Sequence, residues 1–169
     1  MLVSRRDDGL WLVTHPDHAA LAAELARAYG NDELPLRAQR ESLVTAAGRH
    51  DDGWAEIDAR PAIAEDEGRP AHFLEVALPD TVEPYRAGVD RIYADDRYAG
   101  VLASRHWAGL YRARWGTADA PPVGHPLAGE VVAAEDQRAA RTALELWDGA
   151  GPRSAFEAEL WRDYEVLQA

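Results

Sequence analysis

The residues best suited to chemistry lie in the segment Arg49-His50-Asp51-Asp52-Gly53-Trp54. Imidazole and carboxylate groups are ligands that first-row divalent metals accept in proteins. His50 and Asp51 can reach one ion together, because the chain leaves helical geometry there, but they need a ligand from another element. His18 and His106 are the candidates, since their spacing places each on the apolar stripe of a separate helix. The pattern predicts a site for divalent Fe, Mn, Ni or Zn. Its predicted ligands are His18, His50, Asp51 and His106.

A purely structural interpretation of the same residues stays open. A single histidine on an apolar helix face is usually a core side chain that a backbone carbonyl or a water satisfies. The sequence Asp51-Asp52-Gly53 is also typical of a turn. In favour of a metal, three histidines and an aspartate point inward from three helices, and polar groups are costly to bury without partners. Trp54 is expected to wall a pocket, His15 to cap the first helix, and His72 to reach over the site from a loop.

The composition excludes several other kinds of active site. The chain has no cysteine and no lysine, so thiolate, disulfide and Schiff-base chemistry are absent, as is the lysine of a phosphate-binding loop. None of the four serines stands in a nucleophile-elbow context. No glycine-rich dinucleotide motif occurs either. Metal-assisted catalysis is therefore the chemistry that the sequence favours.

The charge balance indicates which partners the protein avoids. Thirty acidic and 18 basic residues give a formal net charge of -12 at pH 7. Nucleic acids and anionic membranes would be repelled by such a surface. The N-terminus lacks the apolar segment of a signal peptide, and no stretch approaches the roughly 20 apolar residues that span a bilayer. We therefore expect a cytoplasmic protein that binds neither nucleic acid nor membrane.

Hydrophobic periodicity predicts one mainly α-helical domain over residues 1–169, with about six helices after a β-hairpin at residues 1–13. The hairpin is expected to turn at Asp8-Gly9 and to pack on the helices. Residues 58–79 are predicted to form a long loop. The residues from Thr117 to Gly129 are predicted to form a second, Pro/Gly-rich connection. The helices are predicted at about 15–29, 36–49, 81–94, 98–115, 130–147 and from 154 to the end.

The sequence also predicts the buried face of the first helix and the cap of the last helix. In the first helix, Leu21 and Leu25 are expected to face the core together with His18. In the last helix, Ser154 and Glu157 are expected to form a capping box. The apolar period of that helix still runs at Gln168-Ala169, so either the helix ends with the chain or a native continuation is missing.

Three segments carry a resemblance to a known family. They are His15-Pro16-Asp17-His18-Ala19, His50-Asp51-Asp52-Gly53-Trp54 and Ser104-Arg105-His106-Trp107-Ala108-Gly109-Leu110-Tyr111. Together they resemble an uncharacterised bacterial family, the domains of unknown function 3891. The resemblance spans nearly the whole chain in order, from the N-terminal hairpin to the closing Trp161-Arg162-Asp163-Tyr164 with Leu167-Gln168. That family has no established activity to carry over.

The order of one histidine, a His-Asp pair and a further histidine is more distantly similar to the HD-domain superfamily of helical, metal-dependent phosphohydrolases. By that resemblance, His18, His50 and Asp51 match the first three metal ligands. His106 matches an intervening histidine that holds a second ion in two-metal members. The superfamily's late aspartate is expected just beyond Leu167-Gln168, where this sequence ends. The available substitutes are Asp136, Asp148 and Asp163.

This resemblance implies an HD-like bundle that hydrolyses a small phosphorylated molecule with one or two metal ions. The ion is expected to polarise a phosphoryl oxygen and to lower the pKa of a bound water. Asp51 is expected to accept a proton, with Asp52 acting beside it. Arg49 and Arg105 are expected to offset the phosphate charge. Two alternatives stay open: oxygen chemistry at a di-iron centre, and a non-catalytic binding or sensor domain, which the absent late aspartate favours.

Overall fold

The computed structural model describes residues 1–30, 39–64, 67–112, 123–149 and 151–168, and these are mainly helical. Six helices of ten or more residues follow an N-terminal antiparallel hairpin, as the sequence predicted. Within the described ranges, no helix combines the length and apolarity needed to cross a bilayer. The helices are α1 (His15–Ala28), α2 (Arg40–Arg49), the short α3 (Ala55–Ala59), α4 (Leu78–Asp95), α5 (Arg97–Tyr111), α6 (Pro126–Leu146) and α7 (Arg153–Gln168). The strands are β1 (Leu2–Arg6), β2 (Gly9–Val13), β3 (Ile63–Ala64) and β4 (Arg69–Pro70).

Helix α5 is the centre of the bundle. It packs against α2, α4, α6 and α7, while α1 lies on the outside against α2. On α5, Val101, Leu102 and Trp107 have no exposed surface. Burial of side chains this large is the main favourable contribution to folding, at about 1.5–3 kcal/mol for each. Helices α2 and α5, which carry His50 and His106, therefore share the main core, while α1, which carries His18, packs on α2 through a second, smaller cluster.

The start of α1 agrees with the sequence, but its buried face does not. Thr14 caps the helix by accepting a hydrogen bond from the backbone N–H of Asp17 at 3.2 Å, so the prediction that His15 is the cap was wrong. Leu21 and Leu25 are 60% and 64% exposed, whereas alanines are buried instead. The reason is the close approach of α1 to α2, where only small side chains fit. The buried alanines are Ala19, Ala23 and Ala26.

Several helix boundaries differ from the prediction. Helix α4 begins three residues earlier than predicted, at Leu78. Helix α6 begins at Pro126, inside the segment that was predicted to be the second connection. The predicted loop 58–79 holds two short strands and a 3-10 turn at Phe73–Glu75. The expected beginning of α2 at Leu36 and the expected end of α5 at Trp115 lie outside the described residues.

The predicted capping box of α7 was wrong. The carbonyl of Pro152 accepts hydrogen bonds from the backbone N–H groups of Ala155 and Phe156, so Ser154 already lies inside the first turn. The carboxylate of Glu157 pairs with the guanidinium of Arg153 at 2.7 Å instead of reaching back to the backbone. A favourable ion pair one turn apart replaces the expected cap.

The N-terminal hairpin contacts the rest of the chain at Met1 and, through an ion pair of Arg5 with Glu67 at 2.7 Å, near its turn. The carbonyl of Met1 accepts a hydrogen bond from the N–H of Phe73 at 2.9 Å. The strand register pairs Arg6 with Gly9, so Asp7 and Asp8 form the turn rather than Asp8-Gly9. The whole of β2 is exposed, so the expected packing of the hairpin on the helices is confined to its Met1 end.

Two glycines join the segment after α2 to helix α4. A Cβ atom on Gly88 would lie 2.5 Å from the backbone nitrogen of Gly53. A Cβ on Gly53 would lie 2.6 Å from the carbonyl oxygen of Pro84. The backbones meet so closely that neither position accepts a side chain without movement. This contact sets the distance between Asp51 and the helix that carries Tyr85.

We predict that Gly88→Ala destabilises the protein by about 1–3 kcal/mol, because the added methyl group forces α4 away from Gly53. Gly129→Ala is the matched control, since Gly129 is also helical but nothing lies near its added Cβ. Alanine there is expected to be neutral or to stabilise by about 0.5–1 kcal/mol. Urea denaturation measures both. Equal effects of the two substitutions would contradict the close contact.

Candidate metal centre

The His50-Asp51 pair lies where α2 ends. His50 still has helical dihedral angles (φ -53°, ψ -26°), whereas Asp51 has left the helix (φ -110°, ψ 19°). Both side chains are buried, at 5% and 8% exposure. The change of backbone direction turns the two side chains toward each other, and His50 Nε2 lies 3.2 Å from Asp51 Oδ2.

His18 completes a compact set of donor atoms. One nitrogen of His18, one of His50 and one oxygen of Asp51 all lie within 4.8 Å of one another. The rings of His18 and His50 are 5.3 Å apart between centroids. Two imidazoles and a carboxylate are a donor set typical of divalent zinc and iron sites that keep positions open for water or substrate. The residues present therefore fit such an ion.

His106 lies beside this set without joining it closely. Its ring centroid is 4.7 Å from that of His50. Its Nδ1 is hydrogen-bonded to the amide oxygen of Gln168 at the end of α7. The amide thus orients His106 in the way that outer partners orient metal-binding histidines. The sequence assigned Gln168 no role in the site.

None of the three aspartates considered as a late ligand lies in the pocket formed around these histidines. Asp163 is fully buried, but it accepts a hydrogen bond from the hydroxyl of Tyr98 at 2.7 Å. Asp136 pairs with Arg112. Asp148 lies on the exposed segment after α6. Among the described residues, the C-terminal side chain nearest to the histidines is therefore an amide, that of Gln168.

Partners behind the first ligands fix their orientation. The Nδ1–H of His50 donates to the carbonyl oxygen of Ala47 at 2.8 Å, and Nε2 faces Asp51. The hydroxyl of Tyr85 donates to Asp51 Oδ1 at 2.9 Å. Tyr85 is itself held by stacking on Trp107, with ring centroids 4.8 Å apart. The carboxylate of Asp51 is thus oriented from two sides.

The protonation states of Asp51, His18 and His106 suit metal ligation. Burial would raise the pKa of Asp51, but the hydrogen bond and charge of His50 hold it well below its usual range. Burial and the neighbouring His50 lower the pKa of His18 and lower the pKa of His106 to about 4. Burial acts against the charged form of His50 too, yet contact with Asp51 raises its pKa. At neutral pH the site presents one carboxylate and two neutral imidazoles beside His50.

A second pair of a histidine and an aspartate, His15 and Asp58, lies beside the same pocket. His15 is 3% exposed, and its Nδ1 lies 2.9 Å from Asp58 Oδ2. The ring stacks on Trp54 with centroids 4.5 Å apart, and the amino group of Met1 binds the other oxygen of Asp58. The sequence did contain a signal for this residue, because His15 precedes His18 by three positions on one helix. It missed Asp58, whose partners are distant along the chain.

The pocket over these residues has a volume of about 580 Å³. Trp54 lines it, as expected, whereas Arg49 and Arg105 do not. Asp52 does not line the pocket either. It binds Arg49 at 2.9 Å, and Arg49 also binds Asp95. Arg105 stacks on Trp161 at 4.8 Å. Of the predicted site residues, the structure thus gathers His18, His50, Asp51, His106 and Trp54, and separates the two arginines and Asp52 from them.

His72, expected to reach over the site, caps the 3-10 turn at Phe73–Glu75. Its Nδ1 accepts a hydrogen bond from the backbone N–H of Leu74 at 3.2 Å. The neighbouring Phe73 and Leu74 line the pocket, but His72 does not. The segment therefore covers the site with apolar side chains.

Comparison with known proteins assigns the chain to a family but to no activity. The model of the family described as "Protein of unknown function (DUF3891)" matches residues 1–169. The chain belongs to the DUF3891 family. No curated protein and no solved structure matches it. The basis for inferring a function of this DUF3891 protein is therefore the geometry of the site.

In this DUF3891 protein, Tyr85→Phe is expected to lower metal affinity roughly tenfold, because Asp51 loses an orienting donor. The same change should cost about 1–3 kcal/mol of stability. Tyr98→Phe is the matched control, since it removes a tyrosine-aspartate hydrogen bond outside the pocket. Zinc competition with a chromophoric chelator measures affinity, and urea denaturation measures stability. A loss of affinity in both variants would show that the effect is not local.

The low pKa of His106 has a consequence for acid stability in metal-free protein. Because the unfolded chain binds a proton near pH 6.5 and the folded chain only near 4, stability is lost as pH falls through this window. Between pH 7 and 5 the loss from His106 is about 1–2 kcal/mol. His106→Asn, which keeps a donor toward Gln168, should flatten this dependence. Urea denaturation with chelator at both pH values tests it, and an unchanged slope would refute it.

Proposed function

We propose that the protein is a metal-dependent hydrolase of a small molecule. The observation that carries the proposal is the convergence of His18, His50 and Asp51 at the inner side of a pocket of small-molecule size. The three side chains come from α1 and from the end of α2, and each is buried or half-buried. Two imidazoles and a carboxylate at this separation can bind one divalent ion together.

His18, His50 and Asp51 would hold one ion, and His106, oriented by Gln168, would bind a second ion. A bound divalent ion supplies Lewis-acid polarisation and lowers the pKa of water. Tyr85 and the carbonyl of Ala47 keep the ligands in place, since they bind the far sides of Asp51 and His50. The apolar walls limit the access of bulk water.

His15 is the group best placed to move a proton. Asp51 is a weak base, because its pKa is held well below its usual range and both its oxygens have partners. His15 receives support at Nδ1 from Asp58, which leaves Nε2 without a hydrogen bond to any described residue. A carboxylate behind a histidine fixes its tautomer. Burial and the charge of the Met1 amino group, 3.1 Å from the same Nδ1, hold the pKa of His15 below its usual value, so the ring is neutral at neutral pH and can accept a proton. We therefore assign proton transfer to His15 rather than to Asp51.

The order of the ligands supports an HD-like arrangement as part of this proposal. His18 on α1, His50-Asp51 at the end of α2 and His106 on α5 follow the order that the superfamily resemblance implies. A phosphorylated substrate has less support. Neither Arg49 nor Arg105 lines the pocket, so the expected neutralisation of phosphate by arginine lacks its residues.

Oxygen chemistry at iron is the second candidate. Two histidines and one carboxylate with open positions are the donor set of non-haem iron oxygenases. The largely apolar pocket walls also favour a substrate without charge, which such enzymes accept. Elemental analysis of protein purified without chelator separates the candidates, since iron together with a visible or paramagnetic signal favours oxygen chemistry.

We predict that Mn, Fe, Ni or Zn at about 100 times its dissociation constant stabilises the protein by roughly 2.7 kcal/mol and raises its melting temperature. His50→Asn should abolish this response, because it removes a central ligand. His125→Asn is the control: His125 caps α6 away from the pocket, and asparagine also caps helices. Thermal denaturation with each metal provides the measurement. If the unmodified protein carries no metal and does not respond, a non-catalytic binding domain is the better interpretation.

A further inference from the structure

We propose that the pocket binds an uncharged, mostly apolar small molecule and presents one polar group of it to the histidine cluster. The inference rests on the proposed function for the identity of the reaction, but the class of ligand follows from the pocket itself. The cluster is defined by His15, His18, His50, Asp51 and His106, which all line the pocket.

The walls of the pocket are aliphatic and aromatic. Most of the lining side chains offer no charge and no strong hydrogen-bonding group, so they reward a ligand that leaves water with apolar surface. The volume of about 580 Å³ falls within the roughly 300–1,000 Å³ of small-molecule sites. The apolar lining includes Trp54, Phe73, Leu74, Val76, Leu78 and Leu110.

The charge of the pocket disfavours an anion. No arginine stands among the described residues that line it, and the chain has no lysine. A phosphate monoester would bring about two negative charges into this apolar space with no guanidinium to receive them. An uncharged ester, amide or ether brings no such cost.

The mouth of the pocket carries exposed leucines. Leu25 on α1 and Leu74 in the 3-10 turn are 64% and 65% exposed, and both line the pocket. Leucines that stay in water at a pocket mouth gain contacts when an apolar ligand enters. The helical period had predicted that Leu25 packs in the core. Its exposed position at the mouth makes it available to contact a ligand instead.

The polar groups of the pocket lie together. His18, His50 and Asp51 offer their ligand atoms within 4.8 Å of one another, and His15 lies one helical turn from His18. A ligand that fills the apolar part of the pocket can therefore place one polar group against this cluster. This division orients the ligand, because the opposite orientation would leave the polar group without a partner.

Displacement of an uncharged fluorescent probe, N-phenyl-1-naphthylamine, tests the inference. The competitors are 2-methoxynaphthalene and 2-naphthyl phosphate, which share one ring system and differ in charge. In protein as purified and after chelator treatment, 2-methoxynaphthalene is expected to displace the probe at a roughly tenfold lower concentration. Equal or better competition by 2-naphthyl phosphate in either sample would overturn the proposal, as would failure of the probe to bind.

Matched substitutions locate the binding. Leu25→Arg and Leu74→Arg should each weaken probe binding roughly fivefold, because an apolar contact is replaced by a hydrated cation. Leu144→Arg is the control, since Leu144 is also an exposed leucine, at 48%, but lies on α6 outside the pocket. A similar loss in all three variants would show that the probe binds elsewhere and would overturn the inference.

Metal content of the same samples separates this inference from the proposed function. Probe binding that depends on Leu25 and Leu74 in a protein that holds no metal supports the apolar pocket and rejects the hydrolase. Metal that depends on His50 without any probe binding rejects the apolar pocket and leaves the hydrolase in place.

Discussion

The buried carboxylate of Asp51 is the constraint on which the rest of the site depends. A charge with 8% exposure needs partners, and the structure supplies Tyr85 on one oxygen and His50 on the other. Because these contacts favour the ionised form, the carboxylate of Asp51 is a weak base. The nearby histidines lie close to a negative charge, which counteracts the effect of their burial on the pKa. The buried charge thus lies where side chains from α1, α2, α4 and α5 meet.

This arrangement requires unusually close packing of the backbone. Gly53 and Gly88 bring the segment that follows α2 against α4, and Ala23 lets α1 approach Gly48 on α2. Small residues at both contacts allow α1, α2 and α4 to place their polar side chains within a few ångströms. The large apolar side chains displaced from these contacts, such as Leu25, then become available to the pocket.

The sequence predicted much of the helical framework, because helix periodicity is a local property. It predicted the mainly α-helical fold, the N-terminal hairpin and the start of α1 at His15. It failed at both predicted caps, since Thr14 caps α1 and Ser154 already lies inside the first turn of α7. It also failed where non-local packing decides. The exposed position of Leu21 results from the closeness of two helices, which cannot be derived from the spacing of apolar residues.

For the candidate site, the sequence by itself determined the chemical types: histidines and an aspartate, with no cysteine or lysine to compete. The position of the His50-Asp51 pair at the end of a predicted helix also indicated its burial, whereas the apolar stripe assigned to His18 is largely exposed. Only the tertiary structure decided which other groups join them. It brought in Asp58 and Gln168 from distant positions and turned Arg49 and Arg105 toward other partners. The physical reason is that side-chain partners across helices depend on how closely backbones approach, and this closeness is a property of the whole packed bundle.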